Sequence, residues 1–176
     1  APKATALPRE QTQLYSFPLP ASPHLAAATA GATIVPERMV AAVAAARRRP
    51  DINLLLIEGA GGLLVPLRRD YLQIELIREL AIPVIMVARA GLGTINHTRL
   101  SIEALAARDI PLAGLIINRM PPRPGPVEAD NLRHFRDDLA LPILVVVPDS
   151  ADVPAAVAAM RHDPGLRQWV QAAAGK

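Results

Sequence analysis

Apolar runs of strand length alternate with segments of helical periodicity along most of the chain. We predict strands where the apolar runs are continuous, over residues 53–58, 83–89, 112–118 and 142–147. Helices are predicted where apolar side chains recur every three or four residues, over residues 37–49, 71–80, 94–108, 131–139 and 164–174. Strands that alternate with helices build βαβ units, so the pattern predicts an α/β fold with a parallel sheet and helices on both faces.

The first part of the chain, residues 1–33, follows a different pattern. It has prolines at positions 2, 8, 18, 20 and 23 and little periodicity, apart from a candidate short helix over residues 24–30. We therefore predict an irregular proline-rich connection over residues 1–33 and one incomplete α/β domain over residues 34–176. Because so long a structureless segment is uncommon in a compact domain, we expect it to continue from a preceding segment.

The composition fits a single domain with an aliphatic core, since 51% of the 176 residues are hydrophobic and only 3% are aromatic. The chain has no cysteine, which excludes disulfides and thiolate zinc sites. No apolar run approaches the roughly 20 residues of a membrane helix, so we predict a cytoplasmic protein with no membrane partner. The net charge is +3, and the basic cluster at residues 47–49 suits a helix C-terminus better than nucleic acid.

A single carboxylate and a glycine-rich turn close the first apolar run. Glu58 ends the strand predicted over residues 53–58, and the sequence Gly59-Ala60-Gly61-Gly62 follows directly. In α/β proteins, ligands bind just beyond the carboxyl ends of such strands, and glycines let a ligand approach the backbone closely. This segment therefore favours a magnesium–phosphate site, with a plain strand followed by a tight turn as the alternative.

Two glycines also break the second predicted strand, at Gly91 and Gly93, and Thr94 begins the helix that follows. A helix N-terminus presents free backbone N–H groups and binds anions readily, so this turn is a candidate anion site. The alternative is an ordinary helix start with Thr94 as its cap. We expect a structural role for His97, because no Asp or Ser lies in a recognisable triad pattern around it.

Three segments together resemble dethiobiotin synthetase: residues 20–27 (Pro-Ala-Ser-Pro-His-Leu-Ala-Ala), residues 57–67 (Ile-Glu-Gly-Ala-Gly-Gly-Leu-Leu-Val-Pro-Leu) and residues 87–97 (Val-Ala-Arg-Ala-Gly-Leu-Gly-Thr-Ile-Asn-His). They occur in the family's order across most of the chain, which makes the combination specific. The resemblance implies a homodimeric α/β enzyme on a P-loop NTPase-like scaffold. It also implies the use of ATP and Mg²⁺ to close a ureido ring on 7,8-diaminopelargonate with CO₂, a step of biotin biosynthesis.

The resemblance also implies roles for individual residues. Magnesium would be bound by Glu58, and the ATP phosphates would lie against Glu58, Gly59, Ala60 and Gly61. Adenine would be bound at the ends of the third and fourth predicted strands, by Asn118, Arg119, Pro148, Asp149 and Ser150. The carboxylate tail of a substrate in the neighbouring subunit would be received by Gly93, Thr94, Ile95 and Asn96. An Asn side chain offers a donor and an acceptor, which suits an adenine edge, although a strand-end turn residue is the alternative for Asn118.

The P-loop and the lysine-bearing strand that open the family's sequence have no counterpart here. The chain has two lysines, Lys3 and Lys176, and neither lies in the Gly-x-x-x-x-Gly-Lys-Ser/Thr context of a P-loop. The resemblance therefore implies the C-terminal two-thirds of the enzyme, without its first βα units and without a catalytic residue in this chain. We expect weak or no activity from the chain alone.

Two alternatives to this function stay open. One is another ATP-dependent ligase on the same scaffold, such as an amidoligase of cobalamin synthesis. Those proteins usually carry a glutaminase domain with a nucleophilic Cys, and the absence of cysteine argues against that domain. The other alternative is a non-catalytic fragment that dimerises.

Overall fold

The computed structural model describes residues 8–174 of the 176-residue chain. These residues form two compact units, the first ending at Ala81 and the second beginning at Ile82. Each unit has buried apolar residues of its own, such as Ile74 in the first and Leu115 in the second. The domain limit predicted between residues 33 and 34 stays a prediction. Within residues 8–174, no helix is both long enough and apolar enough to cross a lipid bilayer.

The first unit combines short helices with one small hairpin. Its elements among the described residues are α1 (Arg9–Thr12), α2 (Pro23–Thr29), α3 (Pro36–Arg47), β1 (Pro66–Arg68), β2 (Tyr71–Leu72) and α4 (Gln73–Leu80). The helices predicted over residues 24–30, 37–49 and 71–80 correspond to α2, α3 and α4. Proline starts both α2 and α3, because its fixed φ and missing N–H suit the first turn of a helix. The antiparallel pair β1–β2 was not predicted, since strands this short leave no periodic pattern.

The strand predicted over residues 53–58 is wrong, because this segment has no strand structure. Among the described residues, the backbone of residues 53–59 makes no hydrogen bond to another backbone group. Its apolar side chains are also in contact with solvent, with Leu56 71% and Ile57 41% exposed. A strand forms only where a neighbour supplies the hydrogen-bond ladder. The apolar run indicated burial, but no described segment pairs with it, and Glu58 therefore does not end a strand.

The second unit is a parallel sheet with helices, which confirms the predicted α/β class. Its elements are β3 (Val84–Arg89), α5 (Thr94–Ala106), β4 (Leu112–Met120), α6 (Pro126–Arg133), a π-helical turn (His134–Asp138), β5 (Ile143–Pro148), α7 (Val153–Met160) and α8 (Pro164–Ala174). The strands lie in the order β3-β4-β5 and all pair in parallel. The strands predicted over residues 83–89, 112–118 and 142–147 are confirmed, as are the helices over residues 94–108 and 164–174.

The helix predicted over residues 131–139 begins earlier and ends differently. It starts at Pro126, and the Glu128 carboxylate accepts a hydrogen bond from the Gly125 N–H at 2.9 Å, which satisfies one free donor at this helix end. From His134 the chain continues as a π-helical turn. Pro126 occupies the first turn of this helix, where proline is favoured because its N–H would have no partner.

The core of the second unit lies against β3 and β4. Its buried members are Ala88, Ala90, Leu115, Ile117, Met120 and Phe135. Phe135, in the π-helical turn, is fully buried at 0% exposure and is the largest side chain of the group. A Cβ atom at Gly114 would lie 2.6 Å from the Leu144 Cγ, so the packing of β5 against β4 requires glycine there.

Candidate functional site

Glu58 and the turn after it lie at the surface of the first unit. Residues 58–62 are all exposed, and the ion pairs of the described residues do not include Glu58. A buried carboxylate without a cation would cost several kcal/mol, on the order of its desolvation penalty, so exposure is the expected state of an unpaired Glu.

The amide of Gln73, at the start of α4, holds the turn in place. Gln73 is only 5% exposed, and its Oε1 accepts a hydrogen bond from the Ala60 N–H at 2.8 Å. Its Nε2 donates to the carbonyl oxygens of Gly61 and Gly62, each at 3.4 Å. One buried side chain therefore satisfies backbone groups of three successive residues, which would otherwise turn to water or to another partner.

Two glycines of the turn are required by its geometry. A Cβ atom at Gly59 would lie 2.4 Å from the Gln73 Nε2, closer than any real contact. Gly61 has φ +89°, in the left-handed region that favours glycine, and a Cβ there would lie 3.0 Å from the Val65 Cγ2. The glycine-rich sequence thus allows both a close approach to Gln73 and a sharp change of chain direction.

The β1–β2 hairpin leads directly into Gln73 and carries its own charge pattern. The Arg68 Nε donates to the Asp70 carboxylate at 2.6 Å, and this hydrogen bond lowers the pKa of Asp70. The Arg68 guanidinium lies 5.9 Å from the centre of the Tyr71 ring. Burial raises the pKa of Tyr71, and the nearby Glu79 carboxylate raises it further. At neutral pH the hairpin therefore keeps a charged Arg–Asp pair beside a neutral phenol.

The turn between β3 and α5 presents free backbone donors in the second unit. Gly93, with φ +88°, is the N-cap of α5, and Thr94 is the first helical residue. The Thr94 N–H donates to the Gly91 carbonyl at 3.4 Å, whereas the N–H groups of Ile95 and Asn96 have no backbone acceptor among the described residues. The alternative of Thr94 as a side-chain cap is wrong, because Gly93 takes that position. Free N–H groups at a helix start of this kind are able to donate to an anion.

The side chain of Asn131, on α6, forms hydrogen bonds to the backbone of this turn. It is 8% exposed, and its Nδ2 donates to the carbonyl oxygens of Ala90 and Gly91, at 2.7 and 3.2 Å. Carbonyl groups at the end of a strand lose their ladder partners, and here a side-chain amide takes over that role. These hydrogen bonds connect the candidate anion site, at the start of α5, to α6.

Asn118 lies near the end of β4, which runs two residues further than the prediction, to Met120. Its Oδ1 accepts a hydrogen bond from the Arg119 N–H at 2.9 Å, and its carbonyl oxygen accepts from the Ala90 N–H at 3.0 Å. Arg119 has φ +58°, a conformation that non-glycine residues rarely adopt. Ala81, Asp109 and Ala140 also have positive φ, between 47° and 55°, so this conformation alone does not distinguish Arg119.

The two segments predicted to bind adenine lie side by side. Met120 of β4 pairs with Pro148 of β5, and the Asp149 N–H donates to the Met120 carbonyl at 2.7 Å. Asp149 and Ser150 are exposed, and the Ser150 hydroxyl donates to the Asp152 carbonyl at 3.1 Å. The carboxyl ends of β4 and β5 therefore bring residues 118–119 and 148–150 together.

A shallow cleft separates β3 from α5 in the second unit. Its volume is about 160 Å³, and it is lined by Met86, Val87, Ala88, Arg89, Thr94, His97, Thr98 and Ser101. Small-molecule pockets usually measure about 300–1,000 Å³, so this cleft is too small to enclose a nucleotide. Arg89 and Thr94, the first residue of α5, both line it, and the Ser101 hydroxyl donates to the His97 carbonyl at 2.9 Å.

Sequence reasoning missed the two amides that hold the candidate sites, Gln73 and Asn131. A usable signal was present for each. Gln73 precedes the buried Leu76 and Leu80 by three and seven residues, and Asn131 precedes the buried Phe135 by four. A helix places such positions on one face, so an amide in an apolar stripe indicates a buried polar group with a backbone partner.

The exposed carboxylate of Glu58 suits magnesium in one respect. Magnesium commonly takes one or two carboxylates and fills its remaining positions with water and substrate phosphates. No cluster of three or more His, Asp or Glu side chains able to hold a metal occurs in the described part of the chain. Glu58 can therefore serve as the single protein ligand of a nucleotide-bound ion, with the phosphates supplying further oxygens.

Comparison with known proteins finds several relatives that carry the same name. The chain is 43% identical over 153 residues to the ATP-dependent dethiobiotin synthetase BioD of Aromatoleum aromaticum, and the match covers 86% of this chain and 66% of that protein. It is 42% identical to the enzyme of the same name from Halalkalibacterium halodurans, over 79% of this chain and 57% of that protein. It is 36% identical to the enzyme of the same name from Bacillus subtilis strain 168, over 85% of this chain and 64% of that protein. The chain thus spans less than two thirds of the length of these relatives.

These relatives confirm the resemblance to dethiobiotin synthetase that the three motifs predicted. A family match gives the broader class. The family described as AAA domain matches residues 3–157, which is more than half of the chain. The chain therefore belongs to the AAA domain family.

Proposed function

We propose that this chain provides magnesium- and nucleotide-binding surfaces of an ATP-dependent dethiobiotin synthetase. The reaction would join CO₂ to 7,8-diaminopelargonate and close the ureido ring. The observation that carries the proposal is the exposed Glu58 carboxylate beside a backbone turn that Gln73 fixes. The similarity to relatives named for this activity supports it. The cytoplasmic location and the absence of nucleic-acid partners stay predictions.

The turn at residues 58–62 would bind the phosphates and their ion. Glu58 would bind Mg²⁺, which when bound neutralises charge that develops on the β- and γ-phosphate oxygens. The Ala60 N–H already donates to Gln73, so the N–H groups of Gly59, Gly61 and Gly62, which have no acceptor among the described residues, are the donors left for phosphate oxygens. Ala60 would donate no hydrogen bond to the phosphates, and its bond to Gln73 would instead fix the backbone conformation of the turn.

Adenine would be bound in the second unit, at the carboxyl ends of β4 and β5. The Nδ2 donor of Asn118 and the second lone pair of its Oδ1 suit the donor–acceptor edge of adenine. Arg119 would flank the base, and the exposed backbone of residues 148–150 would border it.

The start of α5 would receive the carboxylate tail of the substrate bound to a partner subunit. Gly93 and Thr94 shape the turn, and the free N–H groups of Ile95 and Asn96 would donate to the carboxylate oxygens. Because this site serves the neighbouring active site, the proposal requires a homodimer. Leu92, just before α5, and Leu100, in the middle of α5, are 90% and 56% exposed and offer apolar side chains for a second copy to cover.

Replacing Leu100 by Asp tests the homodimer. We expect the wild-type chain to sediment as a dimer at micromolar concentration and the variant as a monomer, because a charge buried in an apolar interface is strongly unfavourable. Val153→Asp is the matched control, since Val153 is 65% exposed on α7 and should leave the dimer intact. Identical sedimentation of the wild type and Leu100→Asp would exclude this face as the interface.

The proposed chemistry is carboxylation followed by ring closure. One amine of the substrate adds to CO₂ and loses a proton, which gives a carbamate. The carbamate oxygen attacks the γ-phosphate and ADP leaves, which gives a carbamic–phosphoric anhydride. The second amine attacks the carbonyl carbon, loses its proton and expels phosphate. The described residues would position the reactants and stabilise charge. No lysine lies in a P-loop context, so we propose weak or absent turnover by the chain alone.

Calorimetric titration of the chain with ATP, in the presence and absence of Mg²⁺, tests this proposal. We expect saturable binding that is tighter with Mg²⁺. Binding without any effect of Mg²⁺ would exclude the role of Glu58, and no binding in either case would favour a non-catalytic dimerising module. The titration is then repeated with diaminopelargonate present. A change in the affinity for ATP would favour the synthetase, because another ligase of this scaffold should not bind that diamine.

A further inference from the structure

We propose that Gln73 is the positioning residue of the phosphate-binding turn, which we define as residues 59–62. The effect of Gln73 on nucleotide binding rests on the proposed function, whereas its contact with the turn does not. Gln73 would touch no ligand itself. It would act by fixing which backbone groups of the turn face inward and which face solvent.

The chemistry of the side chain fits this task. The turn presents one donor, the Ala60 N–H, and two acceptors, the carbonyl oxygens of Gly61 and Gly62, to the same point. A neutral primary amide carries one acceptor oxygen and a nitrogen with two donor hydrogens, so it matches all three groups. A carboxylate could only accept and a thioether could not donate, which makes Gln specific for this position.

The side chain is also held rigidly. The Gln73 N–H donates to the Val65 carbonyl at 2.9 Å, and the Ile74 N–H donates to the Leu63 carbonyl at 2.8 Å. Ile74 is 0% exposed and Gln73 is 5% exposed, so α4 is anchored at its first turn. A buried side chain on an anchored helix loses little further entropy when it fixes a loop.

The contact with Gly59 makes the arrangement selective for one loop conformation. The Gln73 amide lies where a Cβ of residue 59 would be, with its Nε2 2.4 Å from that point. The Ala60 N–H therefore points to the protein, and the N–H groups of Gly59, Gly61 and Gly62, which have no acceptor among the described residues, are left for an external anion. Loss of the amide would free the Ala60 N–H and allow the turn to adopt other conformations.

Hydrogen exchange of single backbone amides, measured by NMR, tests the contact without any nucleotide. In the variant Gln73→Met, which keeps the volume and loses the hydrogen bonds, we expect the Ala60 amide to exchange at least about tenfold faster. The Ile74 amide is the internal control, because its bond to Leu63 does not involve the changed side chain. Equal Ala60 exchange in the two proteins would overturn the proposal, whereas loss of protection at Ala60 alone would support it.

A double-mutant cycle tests the coupling from the other side. Gly59→Ala should lower the melting temperature clearly in the wild-type background, because the new Cβ displaces the amide. In the background of Gln73→Ala, the same change should have little effect, since the obstructing side chain is gone. Gly62→Ala is the matched control for stability, as a Cβ at Gly62 would meet no atom within 4 Å. Additive effects of the two changes would overturn the contact.

The affinity for ATP in the presence of Mg²⁺ tests the positioning role. We expect Gln73→Met to weaken binding about tenfold while its melting temperature stays close to that of the wild type. Unchanged affinity together with lost Ala60 protection would overturn the positioning role and leave a purely structural contact. Failure of the wild type itself to bind ATP would overturn the proposed function and the nucleotide role, whereas the exchange result would still decide the contact.

Discussion

We expect replacement of Glu58 by Gln to lower the affinity of the chain for ATP in the presence of Mg²⁺ by roughly tenfold or more, about 1.4 kcal/mol. Gln keeps the shape of the side chain but removes the anionic oxygen that a hard cation prefers. Ring closure, where it is measurable, should fall roughly 100-fold, since electrostatic stabilisation of phosphoryl transfer is lost. Calorimetry and a dethiobiotin assay measure the two effects.

The dependence on Mg²⁺ distinguishes a metal ligand from a general contact. In the presence of EDTA, wild type and Glu58→Gln should bind ATP equally weakly. The stability of the variant should stay within about 0.5 kcal/mol of the wild type, because Glu58 is exposed and has no ion-pair partner among the described residues. Asp137→Asn, at another exposed carboxylate, is the control and should bind like the wild type. A Glu58→Gln variant with wild-type Mg²⁺ dependence would contradict the metal site.

The second large effect is expected on the stability of the second unit. Phe135→Ala removes its largest fully buried side chain, at 0% exposure, from the core against β3 and β4. Such a change costs about 3–5 kcal/mol, through lost burial and the cavity left behind. Urea unfolding followed by the fluorescence of Trp169, the one tryptophan of the sequence, measures the change in the unit that contains it.

A graded series makes this result specific. Phe135→Leu keeps most of the volume and should cost less than about 1.5 kcal/mol, because apolar exchanges of similar size are tolerated in cores. Val153→Ala removes an exposed side chain and should stay within about 0.5 kcal/mol of the wild type. A loss below about 1 kcal/mol for Phe135→Ala would mean that the π-helical turn does not anchor this core.

The sequence was informative where one segment alone determines structure. The runs before Arg89, Asn118 and Val147 are continuous and aliphatic, and each forms a strand that pairs with another within the second unit. The segment over residues 53–58 is equally apolar, yet it remains unpaired among the described residues. Strand formation depends on a partner as well as on the segment itself, and a single-segment pattern carries no information about the partner.

The same distinction applies to the candidate sites. Glycines and a lone carboxylate marked the turn after Glu58, because those residue types are visible as local motifs. The contact of Gln73 with Ala60 joins positions 13 residues apart, and that of Asn131 with Ala90 joins positions 41 apart. Such pairs arise only from tertiary packing. The sequence therefore marked the backbone segments that we propose as ligand sites, but not the side chains that hold those segments in place.

Paramagnetic broadening of backbone amide signals by Mn²⁺, added with ATP in place of Mg²⁺, tests the central claim most directly. We expect the signals of residues 58–61 to broaden first, at substoichiometric Mn²⁺. This broadening should require ATP and should be lost in Glu58→Gln. Amides in the π-helical turn around Asp137 should stay sharp at the same concentration. Broadening centred elsewhere, or broadening of residues 58–61 that persists unchanged in Glu58→Gln, would contradict the assignment of Glu58 and its turn as the magnesium–phosphate site.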